Sequence, residues 1–211
     1  IRIRYLSGIA GFFDRSYDGK RDRVAVAPRQ GGEKMNNLTK FAAAAVLAVA
    51  PALAFADAKE LSTVQTIRIK ASPEVVWPHV ADFGGLAKWF PSAESTRLVL
   101  RSKPEEGAIR ELNRRNGTRV FEKLVEFDPY NMRITYTYVD GAVAASDYFA
   151  TMQVKDVGNG ESEVVWSGRF TRLAYWQDPP PAGQEDETLV KFFSGVYKAG
   201  LGALKAKIEG Q

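Results

Sequence analysis

The chain contains no cysteine and a single histidine, His79. The first absence removes any disulfide framework, thiol nucleophile or Cys-based metal site. The second leaves no credible Ser-His-Asp set, and no His, Asp or Glu cluster has metal-ligand spacing. No glycine-rich loop follows a strand as phosphate binding requires, so neither a metal nor an organic cofactor is expected. His79 follows Pro78 on a helical stretch, where a lone histidine reads as a surface or capping residue. Acid–base work would also need a neighbouring partner, and no catalytic residue is assigned.

The chain also has little net charge where it matters. Lys and Arg number 29 against 25 Asp and Glu, a formal +4. The first 56 residues hold nine basic and four acidic side chains, leaving 20 basic and 21 acidic in 57–211. The basic signature therefore belongs to the leader, and nothing electrostatic points to nucleic acid or an anionic lipid surface.

Long apolar runs are scarce as well, with one exception around "KMNNLTKFAAAAVLAVAPALAFADAKE" (34–60). From Met35 it has the three parts of a secretory signal: "MNNLTK", an apolar stretch from Phe41 to about Val49, and Ala54-Phe55-Ala56 as cleavage site. Pro51 interrupts it, and it falls short of the roughly 20 apolar residues of a membrane span. Residues 35–56 are expected to be a signal peptide cut before Asp57, with a cut after Ala58 as the alternative. The mature protein is then periplasmic or secreted, without stable membrane insertion. Residues 1–34 show no helical or strand periodicity, and "GGEK" before Met35 permits a purine-rich ribosome-binding sequence in the codons. They are expected to be an upstream extension from a mis-assigned start.

What remains, 57–211, has the length of one domain with one core. The apolar pattern reads as a strand at 61–70 and a helix from Ser72 (N-cap) and Pro73. Gly84-Gly85 and Pro91 bound a second short turn. Strands follow at about 95–102, 108–115, 118–127, 132–139, 146–155 and 162–171, with Asn116-Gly117 as a hairpin signal. From about Glu185 a helix carries Leu189, Phe193, Val196, Gly200, Leu204 and Ile208 on one stripe. Gly195, Gly200 and Gly202 each cost about 1 kcal/mol in a helix relative to alanine, which points to close approach or empty space beside it. The fold class is α+β: a seven-stranded curved antiparallel sheet wrapped around a long C-terminal helix, the helix-grip order.

Alternation places Ile134, Tyr136 and Tyr138 on one face, and likewise Tyr148, Ala150, Met152 and Val154, then Val164, Trp166, Gly168 and Phe170. Core packing and cavity lining are both open for these, although inward tyrosines need partners for their hydroxyls. Glu122 lies between Val120 and Leu124 on the face that alternation turns inward, with Arg110 as its candidate partner across the Asn116-Gly117 turn. A one-residue register change turns either outward, so a cavity pair and a surface pair both stand.

The pieces "ASPEVVWPHVADFGGLAKWFP", "GAIRELNRRNGTRVFEKLVEFD", "ITYTYVDG", "SDYFATMQV", "VVWSGRF" and "FFSGVYKAGLGALKAKI" occur in an order that resembles the START-like (SRPBCC) superfamily, in its bacterial polyketide cyclase/dehydrase branch. The resemblance covers essentially all of 61–209 and implies a ligand cavity between sheet and C-terminal helix. "GAVAAS" (141–146) stands where many members have a short proline-containing turn. Arg110, Glu122, Tyr136, Tyr138, Tyr148, Trp166, Phe193, Val196 and Gly200 are the candidate ligand contacts, Gly200 by leaving room for ligand. "YWQDPPPAGQEDE" (175–187) is either a lid over the cavity mouth or a plain solvent loop.

The function expected is a periplasmic binding or accessory protein for a small hydrophobic molecule. A second reading is a cyclase or dehydratase using Glu122, Arg110 and the tyrosines. A third is an interaction module for a periplasmic redox system of the methanol-oxidation type, to which exported members of the branch are linked, with a periplasmic protein as partner.

Overall fold

The computed structural model describes residues 58–210. The expected upstream extension, and the signal peptide with its cleavage site before Asp57, lie outside the described residues. Seven strands form one antiparallel sheet: β1 (Leu61–Ile69), β2 (Ala93–Leu100), β3 (Ile109–Arg114), β4 (Arg119–Asp128), β5 (Arg133–Gly141), β6 (Ala145–Asp156) and β7 (Ser162–Arg172). Their order across the sheet is β1-β7-β6-β5-β4-β3-β2. Six strands in sequence are thus neighbours, and only β1 crosses over to close on β7.

Helix α1 (Pro73–Ala81) and a 3-10 turn (Phe83–Lys88) fill the β1–β2 connection, and α2 (Asp186–Glu209) ends the chain. Pro73 opens α1 where its missing N–H costs nothing. Ser72 sits at the N-cap in extended conformation, but its side chain makes no capping bond. α2 runs 24 residues and starts with Asp186 and Glu187 at its positive end. Its buried stripe is Leu189, Phe193, Tyr197, Gly200, Leu201, Leu204 and Ile208, packed against β1 and β7. Val196, one position off that stripe, is only half-buried.

The β3–β4 hairpin decides the chemistry of the site. Asn116-Gly117 does not form a two-residue loop. Arg114 N–H donates to Thr118 O at 2.8 Å, Gly117 N–H donates to Arg114 O at 2.9 Å, and Gly117 has φ +81°. This is a three-residue connection with glycine in the left-handed position. The extra residue pairs Arg110 with Glu122 and Leu112 with Val120. A two-residue loop would have set Arg110 against Lys123 and Glu111 against Glu122, two like-charge pairs.

The β5–β6 hairpin pairs from Arg133↔Gln153 to Thr137↔Phe149 and then splays. "GAVAAS" forms the wide end, with β5 ending at Gly141 and β6 starting at Ala145. Among the described residues no helix is long and apolar enough to cross a membrane.

Candidate functional site

The concave face of the sheet and the inner face of α2 enclose an aromatic chamber. β5 and β6 contribute Tyr136, Tyr138 and Tyr148, β7 contributes Trp166 and Phe170, and α2 contributes Phe193 and Tyr197. Tyr138 stacks on Tyr148 with centroids 4.0 Å apart, and Trp166 stacks on Tyr197 at 4.6 Å. Phe193 packs on Tyr148 at 5.1 Å and on Phe170 at 4.4 Å.

The buried hydroxyls are partnered, as their burial requires. Tyr148 and Tyr197 share a hydrogen bond of 2.7 Å, and Trp166 Nε1 donates to Tyr136 Oη at 3.0 Å. Tyr197 reaches Tyr148 only because β7 has no side chain at Gly168. A carbon there would lie 2.1 Å from the Tyr197 hydroxyl. Burial pushes the pKa of Tyr136, Tyr138, Tyr148 and Tyr197 upward, so all four are neutral hydroxyls at ordinary pH and none is a base.

At the other end of the chamber lies an ion pair. Arg110 Nε donates to Glu122 Oε2 at 2.7 Å, with 3% and 5% of the two side chains exposed. Arg110 Nη1 donates to Phe83 O at 3.1 Å. The guanidinium lies between two rings, 4.1 Å from the Phe83 centroid and 4.7 Å from that of Tyr136. Among the described residues, Arg110 Nη2 and Glu122 Oε1 have no hydrogen-bond partner. The pair thus keeps unspent N–H donors at Nη2 and an unspent acceptor at Oε1.

A cavity of about 30 Å³ remains between these groups, room for about one water molecule. Arg110, Glu122, Tyr136, Tyr138, Tyr148, Trp166, Phe193 and Val196 line it, eight of the nine expected contacts. Gly200 does not. The space expected beside it is filled, since a side-chain carbon at Gly200 would lie 2.6 Å from Trp166 Cζ3 and 3.0 Å from Phe90 Cδ2. The glycine lets the helix approach two aromatic rings and leaves no room for ligand.

The pattern missed six lining residues: Leu86, Phe90, Leu112, Arg114, Phe192 and Tyr197. Leu112 and Arg114 were readable, because they continue the two-residue alternation that starts at Arg110. Tyr197 lies four residues after Phe193 on the helical stripe. Leu86 and Phe90 come from the irregular segment after α1, where no period applies.

His79 is not a lining residue; its carbonyl accepts a bond from Trp89 Nε1 at 3.1 Å. The segment 175–187 does not line the inner cavity either. Among the described residues no group of three or more His, Asp or Glu is placed to hold a metal ion.

This architecture has relatives. In solved structures the chain is similar to the protein XoxI from Bacillus cereus, at 29% identity and TM-score 0.60, covering 70% of this chain and 95% of that one. A protein from Thermobifida fusca matches at 26% identity and TM-score 0.57, covering 70% and 92%. The Zhui aromatase/cyclase from Streptomyces sp. R1128 matches at 19% identity and TM-score 0.61, covering 72% and 94%, a likeness of fold alone. Among curated proteins none matches. The family model for "Polyketide cyclase / dehydrase and lipid transport" matches residues 60–209, the whole of the sheet and both helices. The chain belongs to that family, within the START-like superfamily.

Proposed function

We propose that the protein binds a small, largely apolar or aromatic molecule between sheet and α2 and acts as an exported binding or accessory protein. The observation that carries this is the Arg110–Glu122 pair. A charged pair at this depth is no better for stability than well-packed apolar side chains. Its unspent donors and acceptor border the aromatic cavity, where they can orient a polar group of a bound molecule. The closed cavity holds about a water's volume, so occupancy requires its wall to move outward.

The second reading is an enzyme of the cyclase or dehydratase kind, favoured by the fold shared with the Zhui aromatase/cyclase. Against it, general acid–base chemistry wants a group poised near the working pH, and the tyrosines are pushed far above it.

The deciding experiment is native mass spectrometry of protein recovered from its own periplasm, followed by titration of the co-purified molecule into wild type and Glu122→Gln. The variant is expected to bind with affinity weakened by about 1–3 kcal/mol through loss of a charged hydrogen bond, and neither protein should convert the ligand. Turnover by wild type, with equal binding but no turnover by the variant, would establish the enzyme instead. The export half of the proposal rests on residues 35–56. N-terminal sequencing of the periplasmic protein should read from Asp57 or Lys59, and a start within 1–34 would overturn it.

A further inference from the structure

We propose that Arg114 is an anion anchor at the mouth of the site, so that the ligand carries a carboxylate or phosphate on its apolar body. The proposal rests on the binding function above and adds the chemical class of the ligand. Arg110, Leu112 and Arg114 are alternate residues of β3 and share its inward face. Arg114 is the last of the row, at the hairpin tip. It lines the inner cavity and also a second cavity of about 330 Å³. That outer cavity lies between the tip of the β3–β4 hairpin, the Ala142–Ala144 turn, Gly183 and the first turns of α2. Phe192 and Phe193 are the other residues common to both cavities. Phe192 is 49% exposed, so it is the free side chain of this partition.

Charge separates Arg114 from its neighbours. Arg110 is paired with Glu122, and Arg97 and Arg119 share the Glu111 carboxylate. Arg115 Nε donates to Pro91 O at 3.0 Å. Arg114 makes no ion pair and no side-chain hydrogen bond among the described residues. It is also the sole charged residue lining the outer cavity, whose remaining walls are apolar or neutral: Val143, Leu189 and Phe192 beside Asn116, Thr118 and Thr188. A half-buried guanidinium with no carboxylate is a donor fork awaiting an anion. An anionic group placed there leaves the rest of the molecule to pass Phe192 into the aromatic chamber. Inside that chamber the Arg110 guanidinium is already charge-balanced by Glu122, so no unpaired cation there competes with Arg114 for the anion.

Matched amphiphiles test this directly. Protein purified from the periplasm is titrated calorimetrically with dodecanoate, dodecyl phosphate and dodecan-1-ol, and with 2-naphthoate and 2-naphthylmethanol as a ring-bearing pair. At pH 7 and low salt the anionic member of at least one set is expected to bind about tenfold tighter or more than its neutral counterpart, and salt should weaken this preference. Either anionic head supports the proposal, and the parallel titrations identify which is preferred. Arg114→Gln should abolish the preference by weakening the anionic member far more than the neutral one, while Arg114→Lys should retain most of it. The anchor is wrong if neutral and anionic members bind wild type equally, or if the preference survives Arg114→Gln. An equal loss for both members in Arg114→Gln also overturns it, since that would report packing instead of charge. Binding by no member of either set would remove the binding function itself, an outcome distinct from binding without preference.

Discussion

Glu122→Ala should destabilise the protein by about 3–5 kcal/mol, the largest single loss expected from any polar substitution in the chamber. The carboxylate is the main partner of a guanidinium that is 3% exposed and enclosed by Phe83 and Tyr136. Removing it leaves a positive charge in the core with the Phe83 carbonyl as its one remaining acceptor among the described residues. Desolvation of that charge is then uncompensated. Replacing both partners by apolar side chains of similar size, Arg110→Met with Glu122→Leu, removes the charge together with its need. The double variant should therefore lie within about 1–2 kcal/mol of wild type, or above it. Urea midpoints of wild type, Arg110→Met, Glu122→Leu and the double measure this as a cycle, with Glu122→Ala measured beside them. A Glu122→Ala loss below about 1 kcal/mol would mean that water reaches Arg110 and the pair is not buried in solution.

The same pair shows what the sequence disclosed and what it withheld. Val120, Glu122 and Leu124 announce one face of β4 by alternation alone, and Arg110 was the natural partner across Asn116-Gly117. The facing of the pair was not readable, because it depends on whether that turn spans two residues or three. Gly117 in the left-handed region fits either loop. The strands and their order were legible because each carries its own apolar face, as Ile134 and Tyr136 do on β5 and Val164 and Trp166 on β7. The size of the cavity was not, since it is what remains after side chains from five strands, α2 and the 3-10 turn interlock. Tyr197 fills space only because Gly168 yields it, and those residues lie on different elements with no local signal joining them. A chamber that alternation outlines as room for a ligand is, in the structure, almost filled by its own aromatic rings.

The three glycines of α2 should respond to substitution with opposite signs. Gly195 and Gly202 have nothing within 4 Å of an added side-chain carbon, and neither has positive φ. Gly195→Ala and Gly202→Ala should therefore each stabilise by about 0.5–1 kcal/mol, through helix propensity and the smaller entropy of the unfolded chain. Gly200 gains the same intrinsic amount but meets Trp166 Cζ3 at 2.6 Å and Phe90 at 3.0 Å. Neither ring can yield cheaply. Trp166 is stacked on Tyr197, bonded to Tyr136 and edge-on to Trp89 at 6.2 Å, while Phe90 packs on Trp166 at 5.9 Å. Alanine at Gly200 should consume its helix gain and destabilise on balance. Leucine should cost about 3 kcal/mol or more, above the usual range for an overpacked core because the helix itself must lift. Lifting α2 would part Tyr197 from Tyr148, so Gly200→Leu should also loosen the chamber and increase uptake of an apolar fluorescent probe. Thermal unfolding of the three alanine variants, with probe binding by Gly200→Leu, reads both effects. Stabilisation by Gly200→Ala equal to that of Gly195→Ala would show that α2 does not rest on Trp166 in solution.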